Sequence, residues 1–328
     1  MAKVLIYGAG AIGSLFGYLL SEVVLEGNEK GTGSAIVENV ALLGRRGHIQ
    51  TIKERGLEIA LAEGERPLPI RFSHTFTNLD ELDKSEFAPE VVFVTVKTHA
   101  LPAVLTELRK SGLLDGKLVE AEFVLLMNGM GNRERFCLPD DRIFEGITSV
   151  GVVFSEDGRI ELKGRGKTVF EAGMGDELKR FIGARLAEKG FLAEFAEDFK
   201  AQQWMKLFAN AVINPITALT RETNGVVLSP HLAPVVEKIV GECVAVAEKE
   251  GQKFDGGEVI KFVRTVAENT AANTSSMLQD VLRERRTEID SINGYVLNLA
   301  KRHGIAAPAN EMLYGLVKAV EKGEERSK

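Results

Sequence analysis

Six residues near the start of the chain, Gly8-Ala9-Gly10-Ala11-Ile12-Gly13, have the types and spacing to hold a pyrophosphate. They follow an apolar run, Lys3-Val4-Leu5-Ile6-Tyr7, and open a segment with helical periodicity. Gly8 suits a tight turn, Gly10 a close approach of backbone to phosphate, and Gly13 close packing of helix on strand. The N–H groups and positive dipole end of the helix would then face the anion. The alternative is a purely structural strand-to-helix turn. The next strand ends in Gly44-Arg45-Arg46, where an acidic residue would be expected to bind the ribose 2′-hydroxyl of NAD. A guanidinium at Arg45 suits a 2′-phosphate and so NADP; the plain alternative is a pair of solvated surface charges.

Two more strand ends carry polar groups. Lys97 follows Val91-Val92-Phe93-Val94-Thr95-Val96, and Asn128-Gly129-Met130-Gly131 follows residues 122–127. In a doubly wound sheet, chemistry gathers at the carboxyl ends of strands. Lys97 reads equally as a site residue or a rim charge. Asn128-Gly129 is either a turn or a place where the flanking glycines let a ligand approach.

A third cluster falls on a helix. Lys206, Asn210 and Asn214 recur at a spacing of four in Trp204-Met205-Lys206-Leu207-Phe208-Ala209-Asn210-Ala211-Val212-Ile213-Asn214-Pro215. At 3.6 residues per turn they share one face, drifting about 40° per step. Asparagine is a poor helix former and costly to bury unpaired, so this stripe among apolar neighbours asks for a ligand or a polar network. The plainer reading is the solvated face of an amphipathic helix. A fourth cluster is Asn273-Thr274-Ser275-Ser276-Met277-Leu278-Gln279-Asp280 with Arg286-Thr287-Glu288-Ile289-Asp290. Ser276 with Gln279 fits a capping box, and the same helix N-terminus could bind a carboxylate. On one straight helix Glu288 would lie about 120° from Ser276. For both to meet one ligand, the chain must bend or the ligand must lie across the helix; otherwise Glu288 is a surface carboxylate near Arg285 or Arg286.

The elements that must position these residues fall into two sets. Strands are expected at 3–7, 39–43, 91–96 and 122–127, with a helix at 11–25. Unbroken β-branched runs alternating with helices imply a parallel, doubly wound sheet. Between 142 and 171 the pattern changes to short strands, and Asp157-Gly158 between Val152-Val153-Phe154 and Ile160-Glu161-Leu162 reads as a hairpin. Residues 26–38, polar and glycine-rich, read as an inserted mobile loop or a plain surface elaboration. From about residue 198 the expectation is helices alone, at 200–213, 233–250, 256–271, 277–302 and 309–322. The fold class is therefore an α/β Rossmann-type doubly wound N-terminal domain (1–196, nucleotide-binding) plus an all-α C-terminal domain (197–328, substrate-binding).

Composition narrows the class. The chain has 328 residues, 45% of them hydrophobic, and a formal net charge of −6. This balance gives no electrostatic reason to expect nucleic acid as a partner. No run reaches the roughly 18 apolar residues that cross a bilayer, and the N-terminus lacks the parts of a signal peptide, so no membrane partner and a cytoplasmic location are expected. Two widely spaced cysteines, Cys137 and Cys243, read as buried thiols in a reducing compartment. The five histidines (48, 74, 99, 231, 303) have no paired ligand spacing, so no metal is expected. An apolar helical domain is compatible with a homodimer, although such faces are ordinarily core.

Taken in order, Gly8–Gly13, Lys97, Asn128-Gly129-Met130-Gly131, Lys206…Asn210…Asn214-Pro215, Asn224-Gly225, Ser275-Ser276-Met277-Leu278-Gln279-Asp280 and Thr287-Glu288-Ile289-Asp290…Gly294 resemble the ketopantoate reductase (2-dehydropantoate 2-reductase) family. The likeness runs over about residues 3–315. The Ser-Ser-Met-Leu-Gln-Asp and Thr-Glu-Ile-Asp segments carry it most specifically. The resemblance implies NADPH-dependent reduction of 2-dehydropantoate to pantoate, on the way to pantothenate and coenzyme A. It implies Lys206 as general acid, Glu288 holding the substrate hydroxyl, and Ser276 binding the carboxylate. Asn210, Asn214, Asn224 and Asn273 would line the substrate pocket, and Lys97 and Asn128 would sit between cofactor and substrate. Two other readings stay open: a reductase of a different 2-oxo acid, and a non-enzymatic NADP(H) sensor. The Lys-Asn-Asn stripe argues against the sensor, because a partner-binding helix shows an apolar stripe.

Overall fold

Val4–Tyr7 (β1) is buried along its whole length, as its apolar run requires of a strand covered on both faces. The computed structural model describes residues 2–22, 24–26, 34–60, 69–136 and 138–321. The chain divides into two compact units: Met1–Met127 with Asn132–Phe199, and Asn128–Gly131 with Lys200–Lys328.

In the first unit the chain order is β1, α1 (Ala11–Leu19), β2 (Val24–Glu26), β3 (Ser34–Leu43), α2 (Arg46–Arg55), β4 (Glu58–Ala60), β5 (Ile70–Phe76), α3 (Leu79–Lys84), β6 (Val91–Val94), α4 (Leu101–Ser111), β7 (Glu122–Leu125), α5 (Asn132–Arg135), β8 (Ile143–Thr148), β9 (Gly151–Glu156), β10 (Arg159–Gly164), β11 (Thr168–Glu171), α6 (Asp176–Glu188) and β12 (Ala193–Ala196). Strands β5, β3, β1, β6, β7 and β8 lie side by side in that order, all parallel. Counting only these six, the order is 3-2-1-4-5-6, the Rossmann arrangement with its reversal between β1 and β6. Beyond β8, β11 pairs antiparallel and β12 parallel to β11. The hairpin falls at the expected residues: Gly158 takes φ +79, and Ile160, Glu161 and Leu162 face Phe154, Val153 and Val152. β4 joins β10 to make a separate three-stranded sheet.

Helix α1 stops at Leu19, six residues before the expected end at 25. Asn39 on β3 accepts from the Glu22 N–H at 2.9 Å and donates to the Leu20 carbonyl at 3.1 Å. Lys189 donates to the carbonyls of Leu19 and Ser21 at 3.2 and 2.7 Å. The carbonyls that would continue the helix are thus taken by side chains. The expected loop at 26–38 is also corrected at its flanks. Val24–Glu26 pairs antiparallel with Ser34–Ile36, and the second strand begins at Ser34 rather than 39. Residues 27–33 of that segment lie outside the described residues.

The described part of the second unit contains helices and turns but no strand: α7 (Phe199–Thr220, whose first residue belongs to the first unit), α8 (Ala233–Lys249), α9 (Gly256–Asn269), α10 (Ser276–Leu282), α11 (Asn293–His303) and α12 (Pro308–Val320). Two expectations fail here, each for a visible reason. Helix α7 runs seven residues past 213, straight through Pro215. Proline has no N–H for the carbonyl four residues back. That carbonyl, on Ala211, accepts from Asn293 Nδ2 at 3.0 Å instead. The expected helix 277–302 is three pieces: α10, a single turn at Ile289–Ser291, and α11. Glu284 takes φ +53 after α10, which breaks the helix. Cys243 is a buried free thiol, pushed up to about 12 by burial; Cys137 lies outside the described residues.

Candidate active site

In the first unit the glycine turn has the form its spacing implies. Gly8 and Ala9 donate to the Leu43 carbonyl at 2.9 and 3.0 Å, so the turn wraps over the end of β3. Gly8 takes φ +109, and a Cβ there would meet Val96 Cγ1 at 2.7 Å and Val96 N at 2.8 Å. A Cβ on Gly13 would lie 2.2 Å from the Gly8 carbonyl oxygen. Gly10 differs: a Cβ there would meet nothing nearer than the Gly8 oxygen at 3.9 Å. The first-turn N–H groups of α1 have no side-chain cap and no acidic neighbour. An open space over Gly10 beside an uncapped helix start fits a dinucleotide pyrophosphate.

Arg45 and Lys97 flank this turn. Gly44, just before Arg45, packs so closely that its Cβ would sit 3.0 Å from Ala9 Cβ. Arg45 is exposed, with its guanidinium 5.5 Å from the centre of the Phe154 ring. The start of α2 is fixed by His48, which is fully buried. Its Nδ1 accepts from the Gly158 N–H at 2.8 Å, and its Nε2 lies 2.9 Å from Ser14 Oγ on α1. Burial holds the imidazole down at about 4, so it is neutral. Sequence reading passed over His48; an isolated histidine on a short helix carries no spacing signal. Lys97, half-buried, follows Val96, the residue that abuts Gly8.

The second unit brings Asn128, Lys206 and Glu288 together. Lys206 Nζ donates to Asn128 Oδ1 at 3.2 Å, and Asn128 Nδ2 donates to Glu288 Oε2 at 3.0 Å. The amide thus turns its acceptor to the ammonium and its donors to the carboxylate. Glu288 is 5% exposed, so it is no surface carboxylate; Arg286 pairs instead with Asp290 at 3.0 Å. Lys206 is held down at about 8, chiefly by burial, with the Glu288 charge opposing part of that effect. The bend that Ser276 and Glu288 required exists, since α10 ends at Leu282.

The glycines beside Asn128 serve packing within this unit. Gly129 takes φ +73, and its Cβ would fall 2.3 Å from the Ser291 carbonyl oxygen. Met130 N–H donates to that oxygen at 3.1 Å. A Cβ on Gly131 would meet the Tyr295 ring at 2.9 Å. The close approach is therefore made by the protein's own backbone and ring, not reserved for a ligand.

Asn210 and Asn214 lie about one and two turns further along α7, while Asn224, Asn273 and Ser276 lie beyond its end. Asn210 is half-buried and Asn214 is 6% exposed. From Lys206 to Asn214 the stripe spans about 12 Å of helix axis. Past it, Thr217 Oγ1 lies 2.6 Å from Ser275 Oγ, joining α7 to the start of α10. Asn224 N–H donates to the Asn273 carbonyl at 3.0 Å, and Asn224 Nδ2 to Thr270 Oγ1 at 3.0 Å. The cap of α10 is Ser275, not Ser276: Ser275 Oγ accepts from the Leu278 N–H at 3.1 Å. Gln279 reaches back to the Thr274 carbonyl at 3.0 Å instead of closing a box with Ser276. Thr217 decides the matter by holding the Ser275 hydroxyl, and Ser276 is left exposed in the first turn. Ser275→Ala is expected to destabilise the protein by about 1 kcal/mol, measurable as a lower denaturant midpoint. An unchanged midpoint would show that the cap contributes nothing.

Among the described residues no helix is long and apolar enough to cross a membrane, and no group of three or more His, Cys, Asp or Glu could hold a metal ion. A Rossmann sheet with an open glycine turn, followed by a helical unit carrying a lysine–amide–carboxylate chain, defines a Rossmann-type oxidoreductase. The family model "Ketopantoate reductase PanE/ApbA" matches residues 4–175, and "Ketopantoate reductase PanE/ApbA C terminal" matches 198–321. The chain belongs to the ketopantoate reductase family. It is 34% identical over 324 residues to the 2-dehydropantoate 2-reductase of Pyrococcus horikoshii (97% of each chain) and 32% identical over 326 residues to that of Archaeoglobus fulgidus (98% of each). Among solved structures, the PanE/ApbA family ketopantoate reductase of Ralstonia eutropha superposes with TM-score 0.80 at 25% identity, covering 97% of this chain and 98% of that one. D-mandelate dehydrogenase with NADH and anilino(oxo)acetate gives TM-score 0.80 at 26% identity, with the same coverage.

Proposed function

We propose that the chain reduces 2-dehydropantoate to pantoate with NADPH, Lys206 acting as general acid. The observation that carries this reading is the Lys206–Asn128–Glu288 chain, with an ammonium that desolvation holds at about 8. Two relatives that share nearly the whole length with this chain bear the matching name, which supports the substrate. The nicotinamide, when bound, supplies the hydride. The protein's task is then to hold the keto acid and deliver a proton to the oxygen that becomes an alkoxide. An ammonium near 8 gives up its proton far more readily than an ordinary lysine and is still charged at neutral pH.

In this reading Glu288 accepts a hydrogen bond from the substrate hydroxyl, and Ser276 at the start of α10 takes the carboxylate. Asn210, Asn214, Asn224 and Asn273 line the substrate pocket. Residues 1–196 form the nucleotide domain and 197–328 the substrate domain. Gly8–Gly13 cradle the pyrophosphate, Arg45 takes the 2′-phosphate, and Lys97 and Asn128 stand between cofactor and substrate.

The likeness to D-mandelate dehydrogenase favours one second reading, a reductase of another 2-oxo acid. A panel of 2-oxo acids, aliphatic and aryl, run with NADPH and with NADH separates the two. The expected result is the highest kcat/KM for 2-dehydropantoate with NADPH. A better aryl substrate would sink the proposed one. Arg45→Ala is expected to narrow the NADPH-over-NADH preference by about tenfold, the value of a hydrogen bond to a charged group. An unchanged ratio would remove Arg45 from cofactor selection.

A further inference from the structure

We propose that Glu321, the residue just past α12, is a positioning residue that sets the carboxylate of Glu288 against Asn128. Residues 283–288 form no helix, and Glu284 sits at φ +53, so this stretch must be held from outside. Thr287 is fully buried, and its N–H would be an orphaned donor without a partner. Its partner is the Glu321 carboxylate. That carboxylate is itself nearly inaccessible and is fixed by Lys318 Nζ at 2.6 Å.

The other side of Glu288 is tied to the same helix. Asp290 accepts from Tyr314 Oη at 2.8 Å and lies 3.5 Å from Lys318 Nζ. Tyr314, Lys318 and Glu321 follow one another at spacings of four and three, which puts them on one face of α12 and its cap. The Thr287 N–H before Glu288 and the Asp290 side chain after it are therefore both held by α12 and its cap. Asn128 is tied to the same turn: Met130 N–H donates to the Ser291 carbonyl at 3.1 Å, and Ser291 N–H donates to the Glu288 carbonyl at 3.0 Å. The 3.0 Å contact of Asn128 with Glu288 therefore depends on the contacts with which α12 and its cap hold residues 287–290. Because Glu321 binds the backbone one residue before Glu288, losing it frees the carboxylate to swing without removing any group from the site.

The proposal rests on the reading of Glu288 as a substrate-binding residue. Its test uses the full chain, with steady-state kinetics on 2-dehydropantoate, NADPH affinity by fluorescence titration, and thermal melting. Glu321→Ala is expected to raise KM for the oxo acid and lower kcat, together by about tenfold or more, since a misplaced positioning group costs that much. NADPH affinity should stay at the parent value. Glu321→Gln keeps an acceptor oxygen for the Thr287 N–H and is expected to stay within about threefold of the parent. Should Glu321→Ala fail to fold, Tyr314→Phe loosens the far end of the clamp by one hydroxyl and should raise KM in the same direction. A folded Glu321→Ala or Tyr314→Phe protein with parent kinetics overturns the proposal, as does a Gln variant no better than Ala. Glu288→Gln run alongside tells the two failures apart. If it is fully active, the reading of Glu288 falls; if it is crippled while the α12 variants are not, only the clamp does.

Discussion

Lys206→Ala is expected to lower kcat by about 10³-fold, within the range a positioned general acid supplies, while binding NADPH as tightly as the parent. The ammonium is the group that desolvation holds at about 8, and Asn128 Oδ1 at 3.2 Å orients it. In the proposed mechanism the protonated form is the active one, which sets the sign of the pH effect. In the parent, kcat/KM should be flat below about pH 8 and fall tenfold per unit above it, reporting Lys206 in the free enzyme. In the alanine variant that alkaline limb should vanish. Glu288 raises the lysine's affinity for its proton, so Glu288→Gln should move the limb below that of the parent. Lys206→Arg separates charge from proton: the guanidinium keeps its charge but does not release a proton at these pH values. If the arginine variant matched the parent, electrostatic stabilisation alone would explain the rate and the acid role would be lost. A Lys206→Ala enzyme with near-parent turnover would end the proposed mechanism altogether.

The parts of the fold that could be read from the sequence were those in which local pattern and tertiary role agree. The runs at 4–7, 91–94 and 123–125 are apolar without a break because both faces are covered. The Asp157-Gly158 hairpin was legible because a positive φ needs glycine there. What failed depended on distant residues. Helix α7 crosses Pro215 because Asn293, far along the chain, takes the freed carbonyl. Ser275 rather than Ser276 became the cap because Thr217 holds its hydroxyl. The strand Ile70–Phe76 carried a signal that was passed over: Ile70 and Phe72 are buried on one side while Arg71 and Ser73 are exposed on the other. At the site, the lysine–asparagine stripe was legible from its spacing. The burial of Glu288 was not, because its amide partner lies 160 residues away and the carboxylate that accepts from the neighbouring Thr287 N–H lies 34 residues past that threonine.

Gly13→Ala and Gly10→Ala are expected to fail in opposite ways, and the contrast tests whether the turn holds a ligand. A methyl on Gly13 would sit 2.2 Å from the Gly8 oxygen and 2.5 Å from Thr95 Oγ1. Neither can yield cheaply. Thr95 donates to the Gly8 oxygen at 2.8 Å, and Gly8 is wedged at φ +109 against Val96. The start of α1 must move away from β1, at a cost of about 1–3 kcal/mol for an overpacked contact. Gly13→Ala should therefore melt at a lower temperature even with no nucleotide present. Gly10→Ala should melt like the parent, because its methyl would meet nothing closer than 3.9 Å. In the proposed cofactor mode that methyl would stand in the path of the pyrophosphate, so NADPH affinity should fall by about 100-fold or more, the loss of roughly 3 kcal/mol of contacts to a charged group. A folded Gly10→Ala protein that binds NADPH normally would mean the glycines serve only the strand-to-helix packing, and the nucleotide would have to lie elsewhere.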